Sequence, residues 1–244
     1  MRTILITGFG RFPGAPVNPA GLVAARLVRR RRPAFAQTRR VAHVFATRYD
    51  AVDRELPALL MQEAPDIVVM FGVATRTRAV RIEQRARNRI ARFPDAGGRR
   101  PAASTIAARP DALRNPLPIA RLVTAARMAG VAAAPSRNAG TYLCNYLYWH
   151  ALEAAGRSDG PSMVIFVHLP PVALKELPKK LFRSGLRRSS KKPPGTPANT
   201  PRTRKRRAPR LNDLVRAGEA IVLAMIGLAA RQAPTLRAKP ASLL

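Results

Sequence analysis

The chain has one cysteine and three histidines among its 244 residues, so the side chains able to carry nucleophilic chemistry are few. The cysteine, Cys144, stands in the stretch Asn138 to His150, NAGTYLCNYLYWH. A small polar run there gives way to an aromatic-rich segment with helical spacing, which puts Cys144 in or near the first turn of a helix. Unpaired backbone N–H groups and the helix dipole at that place favour a thiolate. A lone cysteine on an apolar face is nevertheless more commonly a small buried hydrophobe than a nucleophile. What decides between the two is whether the chain also supplies a base to take the thiol proton and an acid to orient that base.

Each histidine has a distinct setting. His150 is six residues after Cys144, which at ~100° per residue turns it about 240° round a helix, out of reach of the thiol. His43 lies inside an expected strand and reads as a structural histidine. His168 closes an apolar strand, at the end where sites form in α/β folds; a base and a structural histidine fit it equally. Most of the thirteen acids fall on helices among basic neighbours and read as solvated. Glu83 differs in being the only acid in the arginine-rich stretch Thr75 to Arg92. It is either an orienting acid or simply neutralised by Arg81, Arg85 and Arg87.

The elements that would position these groups can be read in order. Thr3 to Thr7 (TILIT) is a buried strand leading into a turn-rich loop. Asn18 as N-cap and Pro19 at the first helical position start a helix that runs to about Arg30. Val41 to Thr47 reads as a strand, Tyr49 to Glu63 as a helix, and Asp66 to Gly72 as an apolar strand of the kind buried on both faces of a parallel sheet. Ala79 to Phe93 is more strand than helix, Pro94 to Pro116 loop, and Leu117 to Gly130 an amphipathic helix stopped by glycine. The Cys144 helix follows, then the strand Ser162 to Val167, halted after His168 by Pro170 and Pro171. Leu211 to Arg231 resumes a helical pattern. Strands alternating with helices at this spacing predict a single three-layer α/β/α domain around a mostly parallel twisted sheet.

The expected organisation is a catalytic domain over 1–174, a basic, Pro/Ser-rich disordered insertion over 175–210, a helix over 211–232 that completes the domain, and a flexible tail over 233–244. The net charge is +31, and Lys175 to Arg210 alone carries fourteen basic residues against one acid. A field this positive attracts anionic partners such as nucleic acid without specificity, through 179–210 above all. The bland alternative is a basic linker in an arginine-rich proteome. A single cysteine excludes internal disulfides and multi-cysteine zinc sites, and no metal or cofactor is expected. The hydrophobic run in MRTILITGF is too short for a signal-peptide core, so a cytoplasmic location is expected. The longest apolar run, Ala220 to Ala230, is about half the length that a bilayer requires and predicts no membrane span.

Taken together, several segments resemble pyroglutamyl peptidase type I, the pyrrolidone carboxyl peptidase family of cysteine peptidases. TGFGRFPGAPVNPA (Thr7 to Ala20) is similar to the family's TGF-x-PFGG-x-x-x-NPS, and EQRARN (Glu83 to Asn88) to its E-R-x-A-x-N. ARFPDAGG resembles the ARIPDN-x-G that follows, NAGTYLCNYL the active-site A-G-T-F-x-C-N, FVHLP the F-I-H-V-P, and RLNDLVRAGEAIVLAM the last helix. The resemblance implies removal of N-terminal pyroglutamate from blocked peptides, with Cys144 as nucleophile, His168 as base and Glu83 as orienting acid. It also implies a ring pocket from Phe9, Phe12, Tyr142 and Leu143, with Thr47 and Val73 on its walls, oxyanion support from Arg92, and a homo-oligomer, a tetramer in the family. One departure is plain: where the family has G-Q-A-G-G-R, this chain reads GVATRTR from Gly72 to Arg78. Val73 replaces an amide that bonds the lactam, which weakens selection of pyroglutamate by roughly 1–3 kcal/mol. The alternatives are therefore a homologue with altered specificity or lost activity, and a basic protein that binds nucleic acid non-specifically.

Overall fold

Alternation and continuity of apolar residues decide where each strand lies. The structure, a computed structural model, describes residues 1–12, 15, 18–108, 111–172 and 209–231. The expected insertion, apart from Pro209 and Arg210, and the expected tail lie outside the described residues. The first strand, β1 (Arg2–Phe9), is buried over its last six residues. Helix α1 (Pro19–Val28) begins as its sequence dictates: Asn18 Oδ1 accepts the Ala20 N–H at 3.0 Å, and Pro19 fills the first turn. Strand β2 (Thr38–Phe45), helix α2 (Tyr49–Glu63) and strand β3 (Ile67–Val73) follow. Strand β2 starts three residues earlier than Val41, because its N-terminal half pairs with β1 through the backbone and needs no apolar side chains.

The stretch Ala79 to Phe93 does not form one strand. It divides into β4 (Val80–Glu83) and β5 (Arg85–Arg87), which join different sheets. The segment read as loop contains β6 (Ala112–Arg114), paired antiparallel with β5. Helix α3 (Ile119–Met128) is followed by a short strand, β7 (Ala133–Ser136), that the sequence did not announce. Its residues are small and include Pro135, which is tolerated because β7 is an edge strand. Helix α4 (Leu143–Ala155), strand β8 (Met163–Leu169) and helix α5 (Leu211–Arg231) complete the order.

The main sheet has the strand order β2-β1-β3-β8-β4-β7. Every neighbouring pair is parallel except β4 with β8, where Arg81 lies opposite His168 and Ile82 opposite Val167. Alternate residues of the strands feed two cores. Ile67, Val69 and Phe71 of β3, with Ile165 and Val167 of β8, pack with α1, α3 and α5. Val68 and Met70, with Val164 and Phe166, pack with α2 and α4. This is the expected three-layer α/β/α arrangement. Helix α5 buries Leu214, Ile221 and Met225 in the first core. Its buried Glu219 takes the Arg32 Nε–H at 2.8 Å, which ties the helix to the turn after α1. Gly8 allows α1 to cross β1 closely, since a Cβ there would lie 2.6 Å from the Ala20 backbone. Among the described residues no helix is long and apolar enough to cross a membrane.

Candidate active site

Strand ends and one helix start converge on a single cavity of about 180 Å3. Phe9 arrives from the end of β1, Val73 from the end of β3, His168 from near the end of β8, and Leu143 and Cys144 from the first turn of α4. Phe12, Asn18, Thr47, Ala139, Gly140 and Tyr142 complete the lining. The cavity is smaller than the roughly 300–1,000 Å3 of drug-sized sites and suits one compact group. A larger open depression of about 410 Å3, lined by Ala79, Arg127 and residues 130–133, offers no nucleophile. Its one charged group, Arg127, donates to the Ala133 carbonyl at 2.9 Å.

Cys144 is the second residue of α4, half-buried and free of any disulfide. Tyr142, the N-cap residue, is extended and makes no side-chain capping bond, so no Tyr142 side-chain acceptor competes for the first-turn N–H groups. The thiol lies directly over β3: a Cβ on Gly72 would come within 2.7 Å of Cys144 Sγ and 2.8 Å of Phe166. Only glycine leaves the sulfur that space.

His168 is almost fully buried and makes a hydrogen bond with the Cys144 thiol group. Its Nδ1 lies 2.9 Å from Glu83 Oε1. Glu83 is completely buried, and because a carboxylate only accepts, Nδ1 carries the proton and Nε2 is the nitrogen left for the sulfur. Burial opposes charge on the imidazole, but the charge and hydrogen bond of Cys144, then those of Glu83, outweigh it and raise the His168 pKa to about 9. The imidazolium form is thus favoured at neutral pH. Of the other histidines, His43 bonds Glu55 at 2.7 Å and His150 bonds Glu153 at 3.1 Å, and neither lines the cavity.

Aromatic residues shape the cavity's side. The Phe12 and Tyr142 rings are tilted 6.4 Å apart, and Tyr49 meets Tyr142 edge-on at 5.9 Å. The Tyr142 hydroxyl donates to the Pro94 carbonyl, and burial holds its pKa above the usual tyrosine value. Thr47 Oγ1 and Asn18 Nδ2 both donate to the Gly10 carbonyl, at 3.1 and 3.0 Å. Val73 contributes an apolar wall. All the pocket residues implied by resemblance are therefore brought together. Arg92 is not: it is exposed, lies outside the lining, and offers its carbonyl to Arg100. Among the described residues no cluster of three or more His, Cys, Asp or Glu side chains is arranged to hold a metal ion.

Several supporting residues escaped the sequence reading. Asn145 is completely buried; its Oδ1 accepts the Arg87 N–H, and its Nδ2 donates to the carbonyls of Arg87 and Arg89, fastening α4 to β5. Tyr148 donates to the Glu83 carbonyl at 2.9 Å and is itself held by Asn115. The available signal was a polar Asn145 inside the apolar run LCNYLYW.

Fold and site together define an α/β protein with a thiol, an imidazole and a carboxylate in sequence at the edge of a small cavity, an array of the cysteine-hydrolase kind. Residues 2–181 match the family model described as pyroglutamyl peptidase. Over 182 residues the chain is 36% identical to pyrrolidone-carboxylate peptidase 1 of Ralstonia nicotianae, covering 70% of this chain and 79% of that one. It is 32% identical over 181 residues to the pyrrolidone-carboxylate peptidase of Thermococcus onnurineus, covering 72% and 87%. This chain belongs to the pyroglutamyl peptidase family. Its fold is that of a variant pyrrolidone carboxyl peptidase from Pyrococcus furiosus, with a TM-score of 0.73 at 23% identity over 91% of this chain and 98% of that one. Pyroglutamyl peptidase I of Bacillus amyloliquefaciens superposes similarly, with a TM-score of 0.71 at 24% identity over 93% and 98%.

Proposed function

We propose that this chain is a cysteine peptidase that hydrolyses the amide bond following an N-terminal pyroglutamate. The observation that carries the reading is His168, set between the Cys144 sulfur and the buried Glu83 carboxylate, with Nδ1 to Oε1 at 2.9 Å. The ring of the substrate enters the cavity between Phe12 and Tyr142, whose faces suit a flat, neutral lactam. Cys144 Sγ, as thiolate, attacks the carbonyl carbon, and the oxyanion forms beside the backbone N–H groups at the start of α4. The His168 imidazolium passes its Nε2 proton to the departing amine, the C–N bond breaks, and a thioester remains on Cys144. Neutral His168 then takes a proton from water as the water oxygen attacks the thioester, and expulsion of the Cys144 thiolate, with that proton kept on His168, restores the thiolate–imidazolium pair as pyroglutamic acid leaves. Glu83 holds the imidazole in one tautomer throughout. The reading assigns the oxyanion to main-chain donors, since Arg92 is not among the cavity-lining residues.

Hydrolysis of a pyroglutamyl-coupled fluorogenic amide tests the reading, with Cys144→Ser as control. Turnover abolished by iodoacetamide and absent in the serine variant supports it. Folded protein that gives no turnover overturns it.

A further inference from the structure

Three arginines reach across to one short segment that leads into the cavity wall. Arg81 Nη2 donates to Ser136 Oγ and, at 2.9 Å, to the Asn138 carbonyl. Arg85 Nε donates to the Arg137 carbonyl at 2.9 Å, and Arg87 Nη1 approaches Asn138 Oδ1 at 3.5 Å. Asn138 Oδ1 in turn accepts the Gly140 N–H at 3.0 Å, and Ala139 and Gly140 line the cavity. Gly140 has a φ of +85°, a conformation that other residues adopt only under strain.

Of the three, Arg81 alone also approaches the buried acid. Its Nε lies 3.7 Å from Glu83 Oε1, the same oxygen that His168 bonds. The antiparallel register of β4 and β8 sets Arg81 directly opposite His168. The guanidinium is about two-thirds covered, its side chain being 32% exposed, so solvent weakens but does not erase its field. We propose that Arg81 is a positioning residue for the reaction at Cys144, locking the Glu83 carboxylate and the 136–140 wall to one another. The inference rests on the cysteine-peptidase reading above and names a residue that reading does not use.

Two consequences follow from the shared oxygen and the shared segment. Because Oε1 serves a fixed cation as well as the imidazole, the carboxylate holds the imidazolium less tightly, and the proton reaches the departing amine more readily. Because Nη2 of the same guanidinium donates to both Ser136 and Asn138 while Nε faces Glu83, the wall that meets the substrate ring keeps its distance from His168. A lysine carries the charge on a single nitrogen and cannot face Glu83 and hold the 136–138 segment with separate nitrogens, as Nε and Nη2 do. Among the described residues, the other titratable groups acting on His168 are Cys144 from α4 and Glu83 from β4, whose carbonyl takes the Tyr148 hydroxyl, while β3 presents the uncharged Gly72.

The test uses full-length wild type, Arg81→Gln and Arg81→Lys. NMR titration of the His168 ring, assigned against His43→Asn and His150→Asn, is read beside kcat and KM for the pyroglutamyl amide. In Arg81→Gln the His168 midpoint rises by about half a unit to one unit, from loss of the nearby cation. The kcat of that variant falls about tenfold, the scale of a small misplacement of reacting groups. Arg81→Lys returns the midpoint to the wild-type value but keeps a KM raised about fivefold, since the forked tether is lost. A His168 midpoint that is the same in wild type and Arg81→Gln overturns the inference, whatever the turnover. An Arg81→Lys variant with wild-type KM overturns it too, even if Arg81→Gln does not fold. Absence of turnover in wild type refutes the peptidase reading instead, and the titration still decides whether Arg81 acts on His168.

Discussion

Replacing Glu83 by glutamine removes one charge from the centre of the site while keeping its shape. In the wild-type protein, burial pushes the His168 pKa down, and Cys144 and Glu83 together lift it from 6.5 to about 9. At 1.36 kcal/mol per unit, that displacement is roughly 3 kcal/mol in favour of the imidazolium. The amide still offers Oε1 to Nδ1–H, so the ring stays in place, but the burial penalty remains while the carboxylate's charge and charged hydrogen bond are gone. The basic limb of kcat/KM in Glu83→Gln therefore moves down by at least about one unit relative to wild type. The rate near neutral pH falls by about 10²–10⁴, the range lost when a buried orienting carboxylate is neutralised beside a general base. The linkage sign follows from a folded pKa above the unfolded one. His168 stabilises the fold fully below about 6.5 and loses that contribution as pH rises through about 9, so wild type loses more stability than Glu83→Gln over this window. Initial rates on the fluorogenic amide from pH 5 to pH 10, with urea midpoints across the same range, measure both effects. A variant whose basic limb stays where it was, with a rate within a few-fold of wild type, would refute the assignment of Glu83 as the group that sustains the imidazolium.

Three further perturbations have definite outcomes. Gly72→Ala puts a methyl group within 2.7 Å of Cys144 Sγ and 2.8 Å of the Phe166 ring; kcat/KM should drop at least about a hundredfold while the melting temperature shows a cost of only about 1–3 kcal/mol. Val73→Gln places an amide on the apolar wall, and the preference for a pyroglutamyl amide over its cyclopentanecarbonyl analogue should rise by roughly 5- to 150-fold, the scale of 1–3 kcal/mol; an unchanged ratio would show that this wall does not read the lactam. Glu219→Ala removes the buried acceptor of Arg32 and leaves Arg30 without its partner at 3.8 Å. Both arginines are partly solvated, so denaturant unfolding should register about 1–3 kcal/mol, with kcat per folded molecule unaltered.

Long periodic segments were legible because burial on one or both faces writes itself into residue types. Pro19 to Val28, Tyr49 to Glu63 and Ile67 to Val73 lie close to where capping and apolar continuity put them. Short elements were not legible. Strand β7 is four small residues with an internal proline, and β6 is three residues inside a Pro- and Ala-rich stretch; both exist because a neighbouring backbone offers hydrogen bonds, which side chains do not announce. At the site, spacing alone singled out Cys144, His168 and Glu83 but left each with a structural alternative, since proximity across 61 and 24 residues is a property of sheet order. Resemblance supplied the pairing, and the distances now give it physical content. Asn145 and Tyr148 went unnoticed for a related reason: their importance lies in what they hold, and their partners are main-chain atoms distant in sequence. Arg81 was legible only as a charge beside Glu83; its tether to the Asn138 carbonyl was not.

The position of β8 in the sheet has a bearing on when the site comes into being. The last strand among the described residues is not added at an edge; it is threaded between β3 and β4 and pairs with both. Until residues 163–169 take that central slot, the acid on β4 and the thiol beside β3 have no imidazole between them, and the two halves of the sheet are not joined. Synthesis from the N-terminus thus produces a nascent polypeptide whose thiol and acid are both made before they can cooperate. The act that zips the sheet shut also brings thiol, imidazole and carboxylate together, so on the cysteine-peptidase reading hydrolytic competence reports closure of the sheet rather than of any local part of it.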